Sequence, residues 1–217
     1  MPTPWQIRKR LLEICRLASQ RRYVASYEGN FSARLPDGRV LITPTRVNKG
    51  MLEEGDLVVT DLAGNRLQGT RLPSSEIRMH LAVYAHRGDV AAIAHGHPPF
   101  ATAFAIAGVK MCIDCMPETW VELRDIPLVP YGTPGSHEVP DRLRPHLAHA
   151  DAFLLEQHGV LALGPDLDSA YFRLELVEHA AEILHRAAVL GGARGLCEAD
   201  KQKLEKLLAR TPGGPSR

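Results

Sequence analysis

The sequence predicts an α/β fold in which helices cover the faces of a mixed or antiparallel sheet. Two observations carry this prediction: several segments place apolar residues at helical spacing, and short apolar strands occur in hairpins as well as between those helices. Hairpins join antiparallel neighbours, so a purely parallel sheet is not expected. The length of 217 residues fits one domain, which we place at 1–210, before a tail at 211–217 that we expect to be mobile.

The first half of the chain is predicted to open with a helix and to continue in strands. Apolar residues at helical spacing predict a helix from Trp5 to about Arg22, whose buried face carries Ile7, Leu11, Ile14 and Ala18. Two hairpins follow, with strands at 30–35 and 40–42 and then at 56–60 and 66–68.

The second half alternates helices with short apolar strands. Helices are predicted from Ile77 to about Arg87, over 100–107, from a cap at Asp166 or Asp168 to about Leu190, and over 198–208. Strands are predicted at 90–94, 126–129, 152–155 and 160–163. This alternation is the reason for placing helices on the faces of the sheet.

Composition and charge narrow the class of partner. Hydrophobic residues make up 45% of the chain and charged residues 24%, which is typical of a globular protein and excludes disorder, collagen-like repeats and coiled coil. The formal net charge of +1 gives no electrostatic reason to expect nucleic acid or an anionic membrane. The most apolar stretch, 90–109, contains two histidines and two prolines, so it is a poor membrane span. Small, specific ligands are therefore the expected partners.

The cysteines indicate a reducing compartment. Four are too few and too scattered for a disulfide framework: Cys15, Cys112, Cys115 and Cys197. The C-x-x-C pair at 112–115 has no second pair to complete a zinc knuckle, so ordinary thiols are favoured over a redox or metal role. The first twelve residues show no apolar signal-peptide region, which leads us to expect a cytoplasmic protein.

The sharpest chemical feature is His95-Gly96-His97 at the end of a predicted strand. Residues two apart on a strand point to the same face, so both imidazoles can reach one ion, and Pro98 leaves the pair at a rim. The alternative is two chance histidines in a chain that has ten. A third neutral nitrogen would favour a metal site, because catalytic zinc typically takes three protein ligands and leaves one position open.

His158 is our choice for the third ligand. It follows a predicted strand and precedes Gly159, and strand ends beside tight turns are where ligand sites gather in sheet proteins. The other candidates are His80, His86, His137, His146, His149, His179 and His185. Four of them lie on predicted helices, where a surface or satisfied histidine is more typical: His80, His86, His179 and His185.

Two further polar segments offer an anion site. Ser74-Ser75-Glu76 opens a predicted helix, where hydroxyls, free N–H groups and the helix dipole favour an anion. Taken alone this segment favours an ordinary helix cap with an acidic first turn. The second feature, Gly29-Asn30-Phe31-Ser32 together with Thr43-Pro44-Thr45, is explained equally well by ordinary turn chemistry.

These motifs occur in one order that closely resembles the class II aldolase/adducin family, in particular its fuculose-1-phosphate aldolase branch. The resemblance runs from about Arg10 to Leu190 and rests on Gly29-Asn30-x-Ser32-x-Arg34, Thr43-Pro44-Thr45, Pro73-Ser74-Ser75-Glu76, His95-x-His97 and Gln157-His158-Gly159. It implies a three-layer α/β/α fold with a central, largely antiparallel mixed sheet. It also implies a homotetramer with active sites at the subunit boundaries.

The resemblance also implies roles for the site residues. His95, His97 and His158 would hold Zn²⁺, with Mn²⁺ or Co²⁺ as alternatives. Glu76 would be the acid/base carboxylate and a further metal ligand when substrate is absent. The phosphate pocket would be lined by Gly29, Asn30, Thr45, Ser74 and Ser75.

Three positions depart from the aldolase pattern. Arg46 follows Thr45 where the fuculose aldolases carry glycine, and we expect it to face solvent, with a phosphate contact as the alternative. Met116 stands where they use a tyrosine, and no tyrosine follows Tyr171 towards the C-terminus. Tyr131 is a possible substitute, although a core or interface tyrosine is favoured.

The sequence thus predicts a zinc-dependent aldolase that cleaves a ketose 1-phosphate to dihydroxyacetone phosphate and a small aldehyde through a metal-stabilised enediolate. Fuculose 1-phosphate or a 5-deoxy-pentulose 1-phosphate would suit the site. The same stabilisation serves a methylthioribulose-1-phosphate dehydratase or a 3-oxo-acid phosphate decarboxylase, so both stay open. A non-enzymatic scaffold like the adducin head domain is the remote alternative, against which the three histidines argue.

Overall fold

A computed structural model describes residues 2–208 of the protein. These residues form an eight-stranded sheet together with seven α-helices. The predicted tail at 211–217 lies outside the described residues, and the single domain at 1–210 stays a prediction.

The sheet is mixed and largely antiparallel, as predicted. Its strands are β1 Asn30–Arg34, β2 Val40–Ile42, β3 Val58–Thr60, β4 Arg66–Gln68, β5 Ala92–Gly96, β6 Leu128–Val129, β7 Ala152–Leu155 and β8 Gly159–Gly164. They lie in the order β4-β3-β2-β1-β5-β8-β7-β6. The pair β6 and β7 is parallel, and the other neighbouring pairs are antiparallel. The centre of the sheet, β1-β5-β8, therefore brings together strands from three distant parts of the chain.

The helices are α1 Pro4–Gln20, α2 Ile77–His86, α3 Pro99–Ala107, α4 Pro117–Leu123, α5 Glu138–Leu143, α6 Leu167–Val189 and α7 Glu198–Leu208. A side-chain cap or an N-terminal proline marks the start of four of these seven helices, α1, α3, α4 and α6. Thr3 forms a capping box with Gln6 at α1, and the Asp166 carboxylate accepts the Ser169 N–H at 2.7 Å at α6. Among residues 2–208, no helix combines the length and the apolarity needed to cross a bilayer.

The sheet separates two hydrophobic layers, which confirms the three-layer arrangement. Because side chains alternate along a strand, Ala92 and Ala94 of β5 join the cluster that packs against α1, α3 and α6. Ile93, between them, joins the cluster on the other face, which packs against α2 and α5. Strands β7 and β8 divide their residues between the two clusters in the same way.

Several predicted boundaries were wrong. The strand predicted at 90–94 runs from Ala92 to Gly96, so His95 and Gly96 lie inside it, and the strand predicted at 126–129 is only Leu128–Val129. The strand predicted from residue 56 is preceded by a 3₁₀ turn at Glu54–Asp56. Helices α4 and α5 were missed because seven and six residues are too few to show a helical period.

Candidate active site

Three histidine rings converge at one end of the central strands. His95 is the fourth residue of β5, His97 follows that strand, and His158 lies in the turn between β7 and β8. Since β5 pairs with β8, with Gly96 opposite Val160, the turn and the strand end lie side by side. The ring centroids are 4.7 to 5.1 Å apart. One ligand nitrogen from each ring lies within 4.8 Å of the others.

The ring nitrogens fit a metal ion. Nδ1 of His95 donates to the Val160 carbonyl at 2.8 Å, which leaves Nε2 with a free lone pair. That Nε2, Nε2 of His97 and Nδ1 of His158 are buried without a hydrogen-bond partner. Buried polar atoms without partners are costly and uncommon, so a shared ligand explains the unpaired Nε2 atoms of His95 and His97; in His158 the nitrogen that faces Glu76 is Nε2. The set of three imidazoles is one that zinc prefers in catalytic sites.

The Glu76 carboxylate lies beside two of the three histidine rings. It lies just before α2, with Oε2 at 3.2 Å from Nε2 of His95 and Oε1 at 3.3 Å from Nε2 of His158. Asn30 donates its amide N–H to Oε2 at 2.8 Å. Burial acts to raise the pKa of Glu76, but the charges of His95 and His158 and this hydrogen bond outweigh burial, so the pKa lies below its usual value.

Burial also keeps two of the imidazoles neutral. It lowers the pKa of His97 and of His158 to about 4, and repulsion from a charge on His95 acts in the same direction. Burial acts to lower the pKa of His95 as well, but the adjacent Glu76 carboxylate outweighs it and raises that pKa. Neutral rings have the free lone pairs that a metal requires.

Comparison with known proteins places the chain in a family. A sequence model described as Class II Aldolase and Adducin N-terminal domain matches residues 9–185. The chain belongs to the class II aldolase/adducin family.

Relatives within this family have more than one activity. The chain is 34% identical to an L-fuculose phosphate aldolase of Methanococcus maripaludis, over 79% of this chain and 92% of the relative. It is 35% identical to a 3-oxo-tetronate 4-phosphate decarboxylase of Escherichia coli, over 79% of this chain and 84% of the relative. A solved L-fuculose 1-phosphate aldolase, 28% identical, superimposes with a TM-score of 0.86 over 95% of this chain and 98% of that one.

Glycines give this family member the close backbone approach that the triad requires. A Cβ added at Gly159 would lie 2.5 Å from Cδ2 of His97 and 2.6 Å from the Gly96 carbonyl oxygen. A Cβ at Gly96 would lie 2.7 Å from the Tyr23 carbonyl oxygen, which accepts the His97 N–H at 2.7 Å. Both distances are too short for any side chain, so glycine is required at both positions.

We expect Gly159→Ala to weaken metal binding by about 10- to 100-fold, because the new methyl group displaces the His97 ring and disturbs the ligand geometry. Competition between the protein and a chelator of known affinity measures this change. Gly55→Ala is the matched control, since a Cβ there meets nothing within 4 Å. Equal metal affinity for the two variants would contradict the proposed role of His97.

The residues predicted to line a phosphate pocket lie on three adjoining segments. The Thr43 N–H donates to the Phe31 carbonyl at 3.0 Å, and the Ser74 N–H donates to the Thr43 carbonyl at 3.1 Å. The segments that carry Gly29 and Asn30, Thr45, and Ser74 and Ser75 are thereby held together. Ser74 is buried, with its hydroxyl accepting the Glu76 N–H at 3.2 Å, whereas Ser75 is exposed. Their role in phosphate binding stays a prediction.

The structure shows the surroundings of Arg46 and Tyr131, which were singled out as departures from the aldolase pattern, and of the cysteine pair. Arg46 is exposed, and its φ of 55° lies in the left-handed region, which a glycine would adopt without strain. Tyr131 is 46% exposed, and its N–H donates to the Glu156 carboxylate at 3.0 Å. Cys112 and Cys115 are free thiols, and among the described residues only the histidine triad forms a group that could hold a metal.

Sequence reasoning missed two residues of the site. Glu28 has Oε2 at 3.3 Å from Nδ1 of His97. His80, considered above only as a helix histidine, is fully buried and lies 2.6 Å from the Asn30 side-chain oxygen. The spacing of Glu76 and His80, four residues apart, is a signal that could have placed both side chains on one side of the helix start.

Because His80 is buried, we expect the free energy of unfolding to fall at acid pH. Burial, followed by repulsion from His95, lowers the pKa of His80 to about 3, whereas the unfolded chain takes up the proton near pH 6.5. The contribution of the neutral His80 ring to the free energy of unfolding is therefore complete above pH 6.5, and it is lost as the pH falls towards 3. Between pH 7 and pH 5 we expect this residue to reduce the free energy of unfolding by about 2 kcal/mol.

Urea denaturation of the wild type and of His80→Gln across this range measures the effect. The free energy of unfolding should change less with pH in the variant than in the wild type. His86→Gln, which replaces an exposed histidine of α2, is the control and should follow the wild type. Equal pH dependence in all three proteins would contradict the prediction.

Proposed function

We propose that the protein is a metal-dependent aldolase that cleaves a ketose 1-phosphate into dihydroxyacetone phosphate and a small aldehyde. The substrate type is fuculose 1-phosphate or a 5-deoxy-pentulose 1-phosphate. The proposal rests on one observation: the partly buried Glu76 carboxylate lies within 3.3 Å of His95 and His158, in a group of three imidazoles that each have a nitrogen without a hydrogen-bond partner. The aldolases among the relatives support the same reaction.

His95, His97 and His158 would hold the metal ion, with Glu76 as a further ligand when substrate is absent. We propose zinc, because the donor set consists of neutral imidazoles, and Mn²⁺ or Co²⁺ would be the alternatives. When bound, the ion supplies a Lewis acid that stabilises the negative charge developing on the substrate during cleavage.

The protein's own groups would position the substrate and move a proton. When the bond between C3 and C4 breaks, its electrons stay on C3, and the C4 hydroxyl releases its proton to solvent water as C4 becomes the aldehyde carbon. Glu76 exchanges the proton at C3, as a positioned general acid/base, while Asn30 holds the carboxylate in place. N–H groups and hydroxyls at the start of α2 would bind the phosphate, which fixes the carbon that faces Glu76.

The proposal extends to the oligomeric state, the partners and the cellular location of the protein. The family resemblance supports a homotetramer with the active sites at the subunit boundaries. The charge balance and the resemblance support a sugar phosphate as partner, without nucleic acid or membrane. The cysteine pattern supports a cytoplasmic location.

Decarboxylation of a phosphorylated 3-oxo acid is the second candidate. The relative from Escherichia coli with 35% identity favours it. Loss of carbon dioxide beside a carbonyl also leaves negative charge on the adjacent carbon, so the same site serves both reactions.

The test is a substrate panel with the purified, zinc-loaded protein. The panel contains fuculose 1-phosphate, a 5-deoxy-pentulose 1-phosphate, methylthioribulose 1-phosphate and 3-oxo-tetronate 4-phosphate. We expect release of dihydroxyacetone phosphate from one of the first two. Carbon dioxide from the fourth, or a diketone from the third, would replace the aldolase proposal, and no product from any would overturn it.

A further inference from the structure

A line of buried polar side chains extends from Glu76 away from the histidine triad. Asn30 donates to Glu76 at 2.8 Å, and its side-chain oxygen lies 2.6 Å from Nε2 of His80. Nδ1 of His80 lies 2.6 Å from the Ser32 hydroxyl, which lies 2.7 Å from the Tyr84 hydroxyl. Asn30, Ser32, His80 and Tyr84 are each at most 4% exposed.

The carboxylate fixes the direction of every hydrogen bond in this line. A carboxylate only accepts, so the Asn30 amide nitrogen faces Glu76 and its oxygen faces His80. That oxygen also only accepts, so Nε2 of His80 carries the proton and Nδ1 is an acceptor. Ser32 must then donate to Nδ1, and its oxygen is left to accept from the Tyr84 hydroxyl.

The line also runs between opposite charges. The Arg34 guanidinium lies 4.9 Å from the centroid of the Tyr84 ring, and one of its N–H groups donates to the Tyr84 carbonyl at 2.7 Å. The cation stands at the donor end and the Glu76 carboxylate at the acceptor end, so every dipole is aligned with the field. Aligned hydrogen bonds in a low-dielectric interior polarise and strengthen one another.

We propose that His80 is a positioning residue for the reaction, which acts through Asn30 to hold Glu76 as an oriented carboxylate, with Ser32 and Tyr84 as its supports. The proposal deepens the proposed function and rests on it for the proton transfer. The burial that lowers the pKa of His80 to about 3 supports it, because a neutral ring is the form that donates at Nε2 and accepts at Nδ1.

The kinetic test isolates the proton step. With dihydroxyacetone phosphate alone in D₂O, NMR follows exchange of the C3 proton, which requires Glu76 but no aldehyde. We expect His80→Leu to lower the exchange rate by about 10- to 100-fold, as removal of supporting hydrogen bonds does at metal sites. Binding of inorganic phosphate should fall by much less than the exchange rate, since Asn30 is the one predicted phosphate residue to which His80 is hydrogen-bonded.

Two further variants separate positioning from a purely structural role. His80→Gln offers one donor and one acceptor, so it should recover part of the exchange rate lost in His80→Leu. Tyr84→Phe removes a single hydroxyl without changing the ring, and we expect a smaller but measurable loss of rate. Exchange at the wild-type rate in both His80→Leu and Tyr84→Phe would overturn the proposal, as would equal loss of phosphate binding and exchange.

A spectroscopic test does not depend on activity. In protein labelled with ¹⁵N-histidine, with His80→Gln used for assignment, we expect His80 to be neutral at pH 7, with its proton on Nε2. A charged ring, or a proton on Nδ1, would overturn the proposal. If the wild type neither cleaves the panel nor exchanges the C3 proton, the proposed function fails, whereas this measurement still tests the direction of the hydrogen bonds.

Discussion

His95→Ala should abolish stoichiometric metal binding and lower kcat/KM by about 1,000-fold or more. His95 is the most constrained of the three candidate ligands, because it is fully buried in a central strand and its Nδ1 is bound to the Val160 carbonyl at 2.8 Å. Its removal leaves two imidazoles and one carboxylate. Loss of a Lewis acid costs several kcal/mol of transition-state stabilisation, and each 1.4 kcal/mol or so is a tenfold change in rate.

Metal content by mass spectrometry and steady-state kinetics measure the two effects separately. His86→Ala is the control, because it removes an exposed histidine of α2 and should retain both metal and rate. Thermal unfolding of the metal-free proteins distinguishes loss of a ligand from loss of the fold. A His95→Ala protein that folds, binds one metal ion per subunit and reacts at the wild-type rate would refute the assignment of the triad.

Glu76→Gln should lower the rate by about 10²- to 10⁴-fold while the protein keeps its metal. The amide has the shape of the carboxylate but cannot take up a proton at neutral pH, so the general acid/base step is lost. The three imidazoles remain, and the carboxylate that raises the pKa of His95 is gone, so that ring is more readily neutral and available to a metal.

The expected results for His95→Ala and Glu76→Gln therefore differ in metal content. His95→Ala should lose both metal and activity, whereas Glu76→Gln should lose activity alone. Glu76→Asp provides a matched control that keeps the charge but shortens the side chain, and we expect an intermediate rate. If Glu76→Gln exchanges the C3 proton of dihydroxyacetone phosphate as fast as the wild type, another group moves that proton.

Local patterns were sufficient for most of the secondary structure. The hairpin of β1 and β2 and the helices α1 and α6 were predicted from periodicity and turn residues, because those signals involve neighbours within a few positions. The first and last residues of each helix and strand were predicted less accurately than the elements themselves. Strand β5 extends to Gly96 because pairing with β1 and β8 continues through His95, and no local pattern reveals where a partner strand ends.

The candidate metal site was the part of the proposed function most accessible to sequence reasoning. His95 and His97 lie two residues apart, so strand geometry alone puts them on one face. The choice of His158 depended on its place beside a strand end, and the family resemblance supported it. The surroundings of Glu76 were not accessible in this way, since its nearest partners lie 46 and 19 residues distant in sequence at Asn30 and His95.

By itself, then, the sequence determined the fold class, the histidine pair and the polar segments, because each of these depends on residue types at short spacing. Only the tertiary structure decided that Asn30, His80 and Tyr84 form one directed line behind the carboxylate, and that Gly159 makes room for His97. The physical reason is that contacts between distant segments depend on how strands pair and helices pack. Those arrangements are set by the whole hydrophobic core rather than by any local run of residues.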